Sequence, residues 1–253
     1  MDDLSRALGE VLLSDLECPV CMEYMVPPIK MCTNGHNICS RCRESVQCCP
    51  VCRAVFLETR NVALENIVRR QKYPCANKQM GCHDLLSIEH IAEHNAVCVY
   101  GKIKCPLNLY TTCSWNGTKN DLKEHTKSAH PGYFVEASTS HSSSCRGSLA
   151  IISCFGELFT SYQIKKDGRL YGAVQLIGTS SEASKYKCEF NLLAANGIEQ
   201  ISKTFLVRSY AEDFETIFNS GTCFYLDEKA VKYFLEGSNQ KLKTTISRVG
   251  WNV

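Results

Sequence analysis

Eight residues able to bind a soft metal ion fall within residues 18–52: Cys18-x2-Cys21, Cys32-x3-His36, Cys39-x2-Cys42 and Cys49-x2-Cys52. A Cys-x2-Cys pair makes a tight knuckle from which both thiolates reach one tetrahedral ion. One knuckle is a weak signal; three knuckles and a Cys-x3-His pair in so short a span are a strong one. Eight ligands close two tetrahedral sites and leave no open coordination position, so the metal here is structural rather than catalytic, each ion contributing on the order of 10 kcal/mol to folding. Cys48 is spare, because Cys49 completes the knuckle with Cys52. Two wirings fit the spacing. In a nested one, Cys32, His36, Cys39 and Cys42 share an ion inside the outer four cysteines. In an interleaved one, the first and third pairs share an ion, as do the second and fourth.

Two further sets follow one plan. Cys75-x6-Cys82-x11-His94-x3-Cys98 and Cys105-x7-Cys113-x11-His125-x4-His130 each place two cysteines on a loop or hairpin, then two ligands about one turn apart on a helix. Residues three to five apart share a helix face, so both reach one ion. His83 and His90 do not keep the shared gap and read as surface residues. Twelve cysteines and four histidines therefore predict four zinc ions per chain. The cysteines of the last set lie too far apart for a DNA-reading finger. Its helix also mixes Asp121 and Glu124 with Lys119 and Lys123, which leaves no basic reading face.

The elements that must position these ligands follow from the rest of the chain. It has 253 residues, 17 cysteines and a formal net charge of +2. Thirteen cysteines lie at or before Cys113, and six of the seven histidines at or before His130. A Cys/His-rich first half thus precedes a more ordinary second half. The start "MDDLSRALGEVLLSDLE" lacks the basic, unbroken apolar form of a signal peptide, and no apolar run approaches the ~18 residues that span a bilayer. A cytoplasmic or nuclear chain keeps its thiols reduced, which favours zinc over disulfides. Near-neutral charge points away from nucleic acid, and nothing points to membrane insertion.

Leu4, Ala7, Leu8, Val11 and Leu12 predict an amphipathic helix within residues 1–15. Residues 16–55 hold the first cluster. Residues 56–72 read as a linking helix with Val62, Leu64, Ile67 and Val68 apolar. Residues 73–131 hold the second and third clusters, and "EASTSHSSSCRGS", 136–148, reads as a linker or loop. In residues 132–253, short apolar runs ("LAIISCF", "LFTSYQI", "LYGAVQLIG", "YKCEFNLL", "IEQISKTFLV", "LKTTISRV") alternate with turn signals. Asp167-Gly168 and Asn196-Gly197 read as hairpin turns. Helices are predicted in "YAEDFETIFNS" and "DEKAVKYFLEG", the second capped by Asp227 and stopped at Gly237. Many short strands without a βαβ rhythm predict an antiparallel β-sandwich. Cys145, Cys154, Cys188 and Cys223 are the spare thiols of this half. Its single histidine beyond the fingers, His141, is a poor source of an activating base.

The first cluster resembles a RING finger, whose wiring is the interleaved cross-brace. That resemblance pairs Cys18 and Cys21 with Cys39 and Cys42, and Cys32 and His36 with Cys49 and Cys52. It also implies a docking surface for a ubiquitin-conjugating enzyme, with Val20 and Pro50 as apolar contacts and Arg53 bridging the enzyme and ubiquitin. The order of RING, paired fingers and sandwich is similar to the seven-in-absentia (SIAH) family of ubiquitin ligases, on "ECPVCMEYMVPPI", "RNVALE", "SCFGELF" and "AVQLIGT". The resemblance implies a TRAF-like sandwich that binds substrates or adaptors and forms a homodimer. It implies a multidomain α+β ligase that promotes proteasomal degradation of its substrates and has no catalytic residue of its own. The rival reading is a zinc-binding scaffold that engages no conjugating enzyme. Where the family's peptide-docking strand carries a tryptophan and a methionine, this sequence has Ser148 and Ala150, so a weakened peptide grip is expected there.

Overall fold

A computed structural model describes residues 11–109, 111–136, 141–144, 149–235 and 242–250. The chain forms two compact units, Met1–Ala92 and Glu93–Val253.

In the first unit, residues 11–15 are helical; the rest of the expected N-terminal helix lies outside the described residues. β1 (Ile29–Cys32), β2 (Asn37–Cys39) and β3 (Phe56–Arg60) form an antiparallel sheet in the order β2-β1-β3. β3 corrects the expectation of a linking helix from residue 56, since the helix itself spans Val62–Arg70. Asn61 begins it by accepting the amide of Leu64 at 3.1 Å. This helix does not bury the full apolar stripe read from its sequence. Val62 and Ile67 are exposed, while Val68 and Glu65 are fully buried. The carboxylate is tolerated because it accepts the Ile29 amide (2.9 Å) and two Arg60 nitrogens (3.0 and 2.5 Å). Buried charge needs such partners. Leu16, Met25, Ile29, Ile38, Val68, Tyr73, Ile88 and Ile91 make one core around Cys18, Cys39 and Cys42. Strands β4 (Tyr73–Pro74) and β5 (Leu85–Leu86) make a small hairpin, followed by the helix Ile88–Val97.

The second unit contains a matching hairpin, β6 (Ile103–Lys104) with β7 (Asn116–Gly117), and the helix Lys119–Ala129. Thr118 and Asp121 form a reciprocal capping box at its start, satisfying two otherwise orphaned backbone donors. The sandwich follows. One sheet has the order β15-β12-β11-β10-β8, with β16 also on β12; the other has the order β14-β13-β17-β9. The strands are β8 (Phe134–Glu136), β9 (His141–Ser144), β10 (Leu149–Cys154), β11 (Glu157–Lys166), β12 (Arg169–Leu176), β13 (Tyr186–Leu193), β14 (Gln200–Leu206), β15 (Arg208–Ser209), β16 (Phe224–Leu226) and β17 (Lys243–Arg248). Pairing is antiparallel except for β8 with β10 and β12 with β15.

All six predicted strands form. Asp167 and Gly168 both have positive φ (53° and 73°) between β11 and β12, the two-residue geometry that matches strand twist. Helices form at Phe214–Asn219 and Glu228–Leu235, and Asp227 caps the second by accepting the Ala230 amide at 2.8 Å. Gly237 lies outside the described residues. A further expectation is overturned: the serine-rich stretch contains β9, which pairs with β17.

β10 is buried on both faces. Ala150, Ile152 and Cys154 enter the core between the sheets, with Phe159, Phe190 and Phe224. Leu149 and Ile151 face the other way and pack with Leu158, Tyr162 and Ile177 against Ile103, Leu107 and Leu122 of the preceding finger. The expected domain boundary falls after residue 131, but this packing runs across it. Lys119 meets Glu157 at 3.1 Å, and Lys123 and Lys127 meet Glu136 at 2.7 and 2.9 Å. Leu107, Leu122, Ile151 and Ile177 are fully buried, and each such side chain contributes about 1.5–3 kcal/mol.

Candidate metal centres

The two outer knuckles of the first unit are built alike. The Met22 amide donates to the Cys18 carbonyl (2.9 Å), and that of Cys18 to the Glu23 carbonyl (2.8 Å). The Arg53 amide donates to the Cys49 carbonyl (2.8 Å), and that of Cys49 to the Ala54 carbonyl (2.9 Å). Met22 and Arg53, each just past the second cysteine, both take positive φ (58° and 62°). The turn thereby aims two thiols at one point.

Those points are shared as the cross-brace requires. Cys18, Cys21, Cys39 and Cys42 form one group, and Cys32, His36, Cys49 and Cys52 the other. Cys21 Sγ lies 4.0 Å from Cys39 Sγ, and Cys52 Sγ lies 3.8 Å from Cys32 Sγ and 3.2 Å from His36 Nδ1. The nested wiring is excluded by these pairings. Cys75, Cys82, His94 and Cys98 form a third group, and Cys105, Cys113, His125 and His130 a fourth. Within every group the ligand atoms lie within 4.8 Å of one another. His83 and His90 are exposed and belong to no group.

The donor sets suit a tetrahedral ion. Burial disfavours the Cys18 thiolate, but the backbone amides of Cys21, Cys39 and Val20 outweigh it and bring its pKa down to about 7, whereas burial pushes Cys39 of the same group up to about 12. The Ala54 amide leads the groups that bring Cys52 down to about 6, against the effect of burial. Asn34 Nδ2 adds a contact to Cys52 Sγ at 3.4 Å. In the fourth group, His130 Nε2 is buried without a hydrogen-bond partner. An orphaned nitrogen among thiols, 5.1 Å by ring centroids from His125, is the arrangement a metal ion satisfies.

The expected conjugating-enzyme contacts Val20 and Pro50 are exposed within their knuckles, and Arg53 is exposed beside the last one. Sequence reasoning passed over Val51 (55% exposed) and Met22 (70%), which add apolar surface to the same knuckles. The expected substrate-peptide positions fare differently. Ser148 lies outside the described residues. Ala150 is 3% exposed and points into the sandwich core, so it is not part of an exposed docking wall. The signal was available: Ala150, Ile152 and Cys154 share one face of the strand. Cys154, Cys188 and Cys223 are buried; burial raises the first two to about 11 and about 12 and raises the third as well. Cys145 lies outside the described residues. No helix among the described residues is long and apolar enough to cross a membrane.

Two interleaved metal groups, a pair of Cys/His fingers and an antiparallel sandwich define a RING, zinc-finger and TRAF-like protein. Family models match in that order: the RING finger of "E3 ubiquitin-protein ligase sina/sinah" over residues 18–52, the Sina zinc finger over 66–145 and the Sina TRAF-like domain over 152–247. The chain is 31% identical over 256 residues to E3 ubiquitin-protein ligase siah-1 of Caenorhabditis briggsae, covering 94% of this chain and 58% of that protein. It is 29% identical over 253 residues to E3 ubiquitin-protein ligase sina of Drosophila melanogaster (94% and 79%). It is 30% identical over 259 residues to that organism's probable E3 ubiquitin-protein ligase sinah (97% and 72%). The chain belongs to the seven-in-absentia family.

Proposed function

We propose that this chain is a RING-type E3 ubiquitin-protein ligase holding four zinc ions, one in each Cys/His group. The observation that carries the reading is the pair of solvent-facing knuckles, with Val20 and Pro50 exposed over two closed ligand sets. Zinc in such sites supplies rigidity, not reaction chemistry. Val20 and Pro50, extended by Val51 and Met22, form the apolar seat for a ubiquitin-conjugating enzyme. Arg53 offers a guanidinium to the enzyme and its bound ubiquitin. The left-handed backbone at Arg53 sets where that side chain leaves the knuckle. The chain contributes by holding the loaded enzyme so that its thioester faces a substrate lysine, which is catalysis by orientation.

A covalent route through Cys154, Cys188 or Cys223 is disfavoured, because these thiols are buried with raised pKa values. The sandwich takes substrates or adaptors for proteasomal degradation and pairs with a second copy, a reading supported by the TRAF-like family match. Abundant reduced thiols support a cytoplasmic, and also nuclear, location.

The test is autoubiquitination by the full chain with a panel of conjugating enzymes, beside Val20→Arg and Pro50→Ala. Each variant should cost at least about tenfold, equivalent to ~1.4 kcal/mol of docking. Elemental analysis should give about four zinc ions in both variants. Full zinc content with no ubiquitin transfer by the unmodified chain would instead support the scaffold reading.

A further inference from the structure

A metal-bound histidine normally has its second ring nitrogen held by a carboxylate, carbonyl or water, which fixes the ring plane. In the fourth group His125 turns Nε2 toward Cys113 Sγ (3.5 Å), and no protein group among the described residues hydrogen-bonds its Nδ1. The contact the protein does supply is a stacking one. The half-buried Trp115 indole lies parallel to the His125 ring at 4.4 Å with an interplanar angle of 5°. The same residue reaches another ligand, because its carbonyl accepts the Cys105 amide at 3.1 Å.

Local structure holds the indole in place. Trp115 immediately precedes β7, where Gly117 pairs with Ile103. A Cβ on Gly117 would lie 2.4 Å from Trp115 Cζ2, so the ring occupies space that only glycine leaves open. The near-repeat offers a contrast. In the preceding finger, Asp84 stands where Trp115 stands, two residues past the second cysteine; its carbonyl accepts the Cys75 amide (3.2 Å) and its carboxylate lies 3.6 Å from Cys82 Sγ. The equivalent side chain thus faces a cysteine ligand in one finger and a histidine ligand in the other. Metal binding draws electron density from an imidazole, and an electron-rich indole face stabilises the resulting positive charge.

We infer that Trp115 is a positioning residue for the fourth metal site: its stacked indole orients His125, whose second ring nitrogen no protein group holds, and Gly117 admits it. The inference rests on the reading of this group as a metal site. It makes that site the one whose occupancy Trp115 fluorescence reports, since the chain's other tryptophan is Trp251.

The experiment uses the full chain carrying Trp251→Phe, loaded with zinc or with cobalt(II), and a chromophoric chelator in competition. Cobalt should quench Trp115 emission, and emission should return in step with release of a single metal equivalent. Trp115→Leu should weaken one site by about tenfold or more, the usual scale for losing a group that orients a ligand, and shift the Cys2His2 cobalt bands. The other three equivalents should hold as before. Trp115→Phe keeps a stacking face and should stay within about threefold. Gly117→Ala keeps the indole but displaces it and should behave like the leucine variant, which keeps the question answerable if that variant folds poorly. An unmodified chain with four equivalents and a leucine variant unchanged in affinity would overturn this proposal alone. Equal weakening by leucine and phenylalanine would also overturn it, since loss of packing would then explain the effect. An unmodified chain lacking this fourth equivalent would overturn the metal reading, and the proposal with it.

Discussion

Glu65 offers the sharpest test of how the RING sheet is fixed to the helix behind it. Its side chain is fully buried, and the Ile29 amide that it accepts is fully buried too. Arg60, supported by Arg69 at 3.7 Å, holds the carboxyl down to about 2 against the opposing effect of burial. From an ordinary value of about 4.5, that depression corresponds to roughly 3 kcal/mol of stabilisation at neutral pH. Arg60 is 51% exposed, so solvent screening reduces the figure to about 2 kcal/mol. Glu65→Ala also strands the Ile29 amide, adding about 1 kcal/mol. The expected loss is therefore about 3 kcal/mol, while Glu65→Gln, which can still accept that amide, should lose about 2 kcal/mol.

The assay is hydrogen exchange at the Ile29 amide in the zinc-loaded full chain, with zinc content checked in each variant. The folded pKa is depressed, so the carboxylate's contribution is complete above about pH 4.5 and fades as pH falls toward 2. The difference between glutamate and glutamine should accordingly be flat from pH 6 to 8. A difference below about 0.5 kcal/mol, or one that changes across that neutral range, would refute the argument.

Other expectations are quicker to check. Iodoacetamide at pH 7.5 should label exposed Cys48 well before Cys154, Cys188 or Cys223, and comparable rates by peptide mapping would contradict the burial argument. Ala150→Met should overpack the core, costing about 1–3 kcal/mol without strengthening any peptide bound to the sandwich; a thermal melt and a peptide titration read both. Thr118→Ala removes one half of the capping box and should cost about 1 kcal/mol, lowering the second unit's melting midpoint by about 2–4 °C.

The four Cys/His groups were legible because a tetrahedral ion constrains spacing tightly, and knuckles and helix turns are local. Wiring was not legible from spacing, since it depends on where the Ile29–Cys32 strand carries Cys32 and His36. Long strands such as Glu157–Lys166 announced themselves by apolar content, and Asp167-Gly168 by its turn chemistry. The strand at His141–Ser144 did not, because serine carries little signal and pairing with Lys243–Arg248 makes the strand. Glu65 in a helical pattern reads as a solvated charge; only the approach of Arg60 and the Ile29 amide makes it a core residue. Ala150 was assigned by analogy of position. Which face it shows depends on the alternation shared with Ile152 and Cys154.

The core that Ile103, Leu107 and Leu122 share with Leu149, Ile151, Leu158, Tyr162 and Ile177 also dictates an order of events during synthesis. Cys105 to His130 leave the ribosome together, so the metal site can close as soon as they emerge. Its buried apolar partners, the last of them Ile177, arrive only later, and at ~5–20 residues per second the delay is a matter of seconds. Throughout that interval a metal-loaded finger shows Leu107 and Leu122 to solvent. The nascent chain therefore passes through a stage that is locally finished yet adhesive, during which chaperones and misassembly compete for the same surface.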